Sequence, residues 1–156
     1  MLNELFHSME ETASSLSTMF TGIFAKQGLH TITVAKPYCV PARHSVMQIT
    51  KRYGIKVHQI RCMTDVKRFD GKNLPTAEIA HVTVSKNQAN WAEYCLARSR
   101  KFWFPDGILN RRNHDLAEKH GGKMHRAWRE GKPVIEKSCE DGKARWLQMK
   151  QGSKRK

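Results

Sequence analysis

Acidic residues are scarce in this chain. Only 14 Asp and Glu stand against 28 Lys and Arg, a formal net charge of +14 over 156 residues. That balance argues against a cation-binding acidic surface and points to polyanionic partners. Releasing condensed counterions from a phosphate backbone gives a basic domain affinity that does not depend on sequence. Cysteine is sparse and scattered: Cys39, Cys62, Cys95 and Cys139 lie 23, 33 and 44 residues apart. With no C-x-x-C pair and no tight Cys/His cluster, neither a zinc knuckle nor a disulfide framework is indicated, and no cofactor or metal is expected. Long apolar runs are missing too, so no membrane span is expected. Glu4, Glu10 and Glu11 interrupt the N-terminal stretch where an export signal needs an uncharged apolar core. A cytoplasmic location is expected, nucleoid-associated if the partner is DNA. The 39% of hydrophobic residues still suffices for a buried core.

The remaining features divide the chain into three parts. Residues 1–26 read as an amphipathic helix, with Leu2, Leu5, Met9, Leu16, Met19 and Ile23 forming a seam at helical spacing. That seam either packs on its own domain or pairs two copies in a homodimer. Without this segment, residues 27–156 hold 27 basic and 11 acidic residues, a net +16. Residues 27–132 are expected to form a basic nucleic-acid-binding domain, and 133–156 a basic C-terminal arm with a disordered end. Within the domain, Thr31–Val34 is β-prone, and Ala42, Val46, Ile49 and Tyr53 share a helical face that Gly54 ends. Asp70-Gly71-Lys72-Asn73 is a turn, and Ile79–Val84 is β-prone. Ser85 and Gln88 suggest a capping box for a helix to about Arg100. Helices at Asn113–His120, closed by Gly121-Gly122, and around Met124–Trp128 complete the pattern.

The stretch Ile49–Met63, ITKRYGIKVHQIRCM, resembles the helix-turn-helix family of DNA-binding motifs. Ile49 and Thr50 supply the apolar-then-small pair, Tyr53-Gly54-Ile55 the turn, and Ile60 and Met63 the second helix's inward contacts. The resemblance spans about 20 residues and implies that the second helix enters the major groove while the first crosses the backbone. Lys56, His58, Gln59, Arg61, Lys67 and Arg68 would then face DNA, with Gln59 and Arg61 at base edges and Arg43, Lys51 and Arg52 toward phosphates. Two residues depart from the pattern: Val57 sits at an exposed place, and Lys56 replaces a Ser or Thr cap. The expected fold is therefore an α-rich α+β chain with an N-terminal amphipathic helix, a helix-turn-helix-like centre, short strands and a basic arm.

The same two departures fit a β-strand over 55–63. The order β (31–35), α (42–54), β (55–63), β (78–84), α (86–100) would suit a ferredoxin-like α+β sheet, an architecture shared by many RNA-binding modules. Thr31–Cys62 is also similar to the opening of a glutaredoxin, through Lys36-Pro37-Tyr38-Cys39, but Ala42 stands where the second cysteine belongs. A second basic block runs from Arg98 to Trp128. Its Arg98, Arg100, Lys101, Arg111, Arg112, Lys119, Lys123 and Arg126 are candidate phosphate contacts, interleaved with Phe102, Trp103, Phe104 and Trp128. His114, His120 and His125 would interest a nuclease, yet the nearby acids show no recognised catalytic spacing. The sequence thus reads as a non-catalytic DNA-binding protein, a regulator or an accessory factor for DNA processing, of the kind plasmids and phages carry. Double-stranded DNA is the first expected partner and RNA the alternative; a thiol redox domain or nuclease is a further one.

Overall fold

Alternation of apolar side chains at Ile32 and Val34 and at Ala80, Val82 and Val84 builds the inner face of a three-stranded sheet. The computed structural model describes residues 28–69, 71–136, 139, 144, 146–148 and 151. The elements are β1 (Leu29–Lys36), α1 (Ala42–Arg52), β2 (Val57–Phe69), β3 (Lys72–Ser85), α2 (Lys86–Arg98) and α3 (Arg111–Arg129). β3 is central and antiparallel to both neighbours, in the order β1-β3-β2. β1 and β2 therefore run parallel to each other, joined by the α1 crossover. Order and directions are those of three of the four strands of a ferredoxin-like sheet.

The α-rich expectation is overturned, since among the described residues helix accounts for 42% and strand for 33%. The helix-turn-helix centre is overturned with it. α1 and the turn at Gly54 are present, with Gly54 at φ +66° and Ile55 N–H donating to the Thr50 carbonyl at 2.8 Å. The next element, however, is β2, a strand of 13 residues, and not a recognition helix. Lys56 offers no cap, Val57 is β-branched, and pairing along nearly all of β3 satisfies the backbone better than an uncapped helix would.

The helices α1 and α2 cover the inner face through Ala42, Val46 and Ile49 and through Ala89, Ala92, Cys95 and Leu96. The segment after α2 meets the free edge of β1. Ala35 and Trp103 exchange backbone hydrogen bonds, both 2.8 Å, which sends Phe102 and Phe104 into the main core and Trp103 to the other face. A second cluster forms there, where Met124, Trp128 and Val134 close over Ala35, Ala77, Ile79 and Trp103. α3 thus straddles the sheet, with Leu116 and Ala117 on the main core and Met124 and Trp128 on the second.

Three local expectations fail for identifiable reasons. Gly121-Gly122 does not end a helix, because α3 runs through it: a Cβ at Gly121 would lie 2.6 Å from the Phe102 carbonyl oxygen. The glycine is needed where the 102–103 backbone crosses α3. Ser85 does precede α2 but its side chain does not cap it; the hydroxyl meets His58 Nε2 at 3.1 Å, and Gln88 accepts from Lys56 N–H. β3 begins well before Ile79 and includes Pro75, which sits opposite Val66 at a register shift, where a missing N–H does least harm. The seam Leu2, Leu5, Met9, Leu16, Met19 and Ile23 lies outside the described residues, as do residues 152–156. Residues 134–136 are stitched to the domain by bonds joining Val134 to Thr76 and Tyr38, and Glu136 to Tyr38. Trp146 packs on Phe69.

Candidate nucleic-acid interface

Helical spacing puts His44, Gln48 and Arg52 on one exposed face of α1. Opposite them the chain leaves α2 through Arg98, Ser99, Arg100 and Lys101. Arg100 takes a left-handed φ of +61°, the conformation that closes many helices but that usually falls to glycine. Together these elements line two cavities that share Gln48 and Lys101. One, about 400 Å³, is bounded by Arg52, Tyr53, Arg98 and Lys101; the other, about 350 Å³, by Lys36, His44, Arg100 and Glu136. They form one groove between α1 and the 98–101 turn.

The electrostatics of this groove are one-sided. Glu136 is the one carboxylate among its lining residues, and the buried Lys36 ammonium holds it at 2.6 Å. Lys36 also donates to the carbonyls of Pro37 and Val40, so its charge is fully engaged. Among the described residues, Arg52, Arg98, Arg100 and Lys101 have no ion-pair partner. The Arg100 charge reaches beyond the groove: after burial, it and Lys119 push His120 below the ordinary histidine value.

Three rings border the Arg52–Arg98 end. Tyr53 meets Trp91 edge-on at 6.1 Å, and Trp91 stacks on Tyr94 at 5.7 Å with planes 23° apart. The Arg52 guanidinium lies over Tyr53 at 5.6 Å and that of Arg98 over Tyr94 at 6.0 Å. Trp91 is 48% exposed and Tyr53 42%.

The residues expected to touch nucleic acid do not share one surface. Arg52, Arg98 and Arg100 come together in the groove. Gln59 and Arg61 lie on the sheet's outer face, beside Thr83 and His81 in the rows Thr31–Thr83–Gln59 and Thr33–His81–Arg61. Those rows are polar: Thr31 and Thr83 share a hydrogen bond, and Thr33 pairs with His81 Nδ1 at 2.9 Å. Burial lowers the pKa of His81. Several other candidates have structural work. Arg43 donates to the Ile60 carbonyl, Lys67 donates to the Trp128 carbonyl, and Arg126 pairs with Glu118. His58 meets Ser85, while Lys51, Lys56, Arg68, Arg111, Arg112 and Lys123 are exposed away from the groove lining.

The rings expected beside the charges are mostly interior. Phe102, Trp103 and Phe104 are buried, and the indole N–H of the half-buried Trp128 donates to Asp65 at 2.8 Å. Tyr53, Trp91 and Tyr94 were hidden by their own spacing. Trp91 falls on the same helical face as Ala92, Cys95 and Leu96, so it reads as core, and Tyr53 falls on the face of Ala42, Val46 and Ile49. His44 and Gln48 become visible only once α1 is known to face the 98–101 turn.

For the thiols, Cys39 lies in the bend ahead of Pro41, which itself precedes α1. Burial raises the Cys62 and Cys95 thiols, against a smaller opposing pull from Arg43 on Cys62 and from Arg98 on Cys95. Among the described residues no three His, Cys, Asp or Glu converge on a metal-sized site. No helix among them is long and apolar enough to cross a membrane. Neither a protein-family model, nor a curated protein, nor a solved structure matches the chain.

Proposed function

We propose that this is a non-catalytic nucleic-acid-binding protein that holds a polynucleotide backbone in the groove between α1 and the 98–101 turn. The observation that carries this reading is the groove's lining. Arg52, Arg98, Arg100 and Lys101 face one channel with His44 and Gln48, and its one carboxylate is neutralised internally. Four permanent cations gathered with no ion-pair partner among the described residues would repel one another. A phosphate chain relieves that repulsion while releasing its own counterions. A regulatory or accessory role in nucleic-acid processing is consistent with binding of this kind. Reading bases through a helix in the major groove is not, since residues 57–69 are strand.

The test compares two variants of equal charge. Arg52→Gln/Arg98→Gln/Lys101→Gln removes three groove cations, and Arg112→Gln/Lys119→Gln/Lys123→Gln removes three from α3. Anisotropy titrations against a labelled oligonucleotide at low salt should show a large loss of affinity for the first and a small one for the second. Equal losses would mean that bulk charge alone binds, and the groove would have no special role.

A further inference from the structure

Resting on the groove as a backbone site, we infer that the Tyr53–Trp91–Tyr94 strip is a base-stacking platform and that the polynucleotide bound is single-stranded.

Tyr94 is partly buried against the main core, but packing does not account for Tyr53 and Trp91 lying on the surface. The core beneath them is already filled by Ile49, Ala92, Cys95 and Leu96, all buried. Trp91 keeps 48% of its surface exposed. Leaving that much indole in water forgoes burial that would stabilise the fold, so its placement needs another reason.

The rings are also held still. Trp91 is stacked on the Tyr94 ring and lies perpendicular to the Tyr53 ring, and each tyrosine carries a guanidinium. Tyr53 caps the C-terminal end of α1, while Trp91 and Tyr94 are on α2, so two packed helices fix the strip. A preorganised ring loses little freedom when a base lies on it.

Position and charge then select the ligand. Tyr53, Arg52 and Arg98 line the 400 Å³ end of the groove, so the rings continue the path of the backbone cations. A strand whose phosphates run past Lys101, Arg98 and Arg52 arrives with its next bases at the strip. Paired bases in a duplex already have both faces stacked and offer only edges and backbone. Unpaired bases offer their faces, and every base has one, so stacking of this kind tolerates sequence. Rings flanked by arginines also suit hot spots between proteins. Here the cations on either side, with no accompanying unpaired carboxylate in the groove, favour a polyanion.

The experiment uses the full chain, oligo-dT and oligo-U single strands, and a blunt-ended duplex with the same number of phosphates. Wild type should prefer the single strands. Trp91→Ala should weaken single-strand binding about tenfold and leave duplex binding unchanged. Trp91→Phe should retain most of the affinity, and Tyr53→Ala should act in the same direction as Trp91→Ala. Because every base offers a face, Trp91→Ala should weaken oligo-dT and oligo-U binding alike. If Trp91→Ala and Tyr53→Ala leave single-strand binding intact, or weaken duplex and single strand alike, the platform is refuted. The triple groove variant separates the two ideas: its loss of binding beside an unaffected Trp91→Ala would leave the groove standing and remove the platform. If neither single strands nor duplex binds wild type, both readings fall together.

Discussion

Replacing Arg100 with glycine should make the protein more stable and bind nucleic acid less well. Arg100 holds a left-handed backbone at φ +61° just beyond α2, where a Cβ crowds the following carbonyl. For a residue with a side chain that conformation costs about 1–2 kcal/mol. Glycine removes the cost but brings a more flexible unfolded chain, which gives back about 0.4–1 kcal/mol. The expected net gain is about 0.5–1 kcal/mol, or a rise of about 1–3 °C in melting temperature for a chain of this size. Binding moves the other way. One groove cation is lost, so the slope of log affinity against log salt for a single strand should shrink by about 0.7. Arg100→Ala is the control, since it loses the charge while keeping the strained backbone. It should match the glycine variant in binding and not in stability. Calorimetry and a salt series on the three proteins decide the matter. A glycine variant that is no more stable than the alanine variant would refute the strain argument. Unchanged salt slopes in both would refute the placement of Arg100 on the phosphate path.

Glu93 is 2% exposed, and its carboxylate accepts from the Leu109 N–H at 2.7 Å, the Asn110 N–H at 3.0 Å and the Asn113 side-chain amide at 3.1 Å. Glu93→Ala strands these donors at the start of α3 and should destabilise the fold by about 3 kcal/mol in urea titrations; a change below about 1 kcal/mol would show that another group or water replaces the carboxylate. His81 supplies a pH dependence. Burial holds its pKa below the ordinary ~6.5, so the unfolded chain takes up the proton first. Its contribution should be intact above about pH 6.5 and lost as pH falls toward the lowered native value, and His81→Gln should flatten that part of the stability profile measured by denaturation.

Much of the fold was legible because local signals and tertiary packing agree. β-prone Thr31–Val34 lies within β1, the 3.6-residue spacing from Ala42 marks α1, and the helical spacing of Trp91, Ala92, Cys95 and Leu96 marks α2. Gly71, expected in a turn, is at φ +78°. Where reading failed, a long-range contact supplied what the local sequence did not. Residues 57–69 carry apolar side chains at Val57, Ile60 and Met63, a spacing compatible with a helix turn. Only pairing with β3 decides for strand, and the part of β3 before Ile79, which includes Pro75, was read as a turn. Gly121 reads as a stop because the crossing backbone of Phe102 is 19 residues away in sequence. The candidate site was legible as charge and not as place. Arg52, Arg98 and Arg100 stood out by type, but their assembly with His44 and Gln48 depends on how α1 faces the turn after α2.

The outer edge of β2 has a consequence for how the protein behaves in quantity. A strand of 13 residues at the border of a sheet is an invitation to further strands, and Met63 and Val66 leave apolar surface exposed on it. Two things stand against that. Arg43 already occupies the Ile60 carbonyl, and Lys56, Arg61, Lys67 and Arg68 lie on or beside the strand with Asp65 the one acid among the described residues there. A second copy laid alongside would set cation against cation. Mutual repulsion therefore guards this edge, and the guard is only as strong as the uncompensated charge. Excess salt or a stoichiometric polyanion would lower it, so conditions that favour loading with nucleic acid are also those in which copies could approach edge to edge.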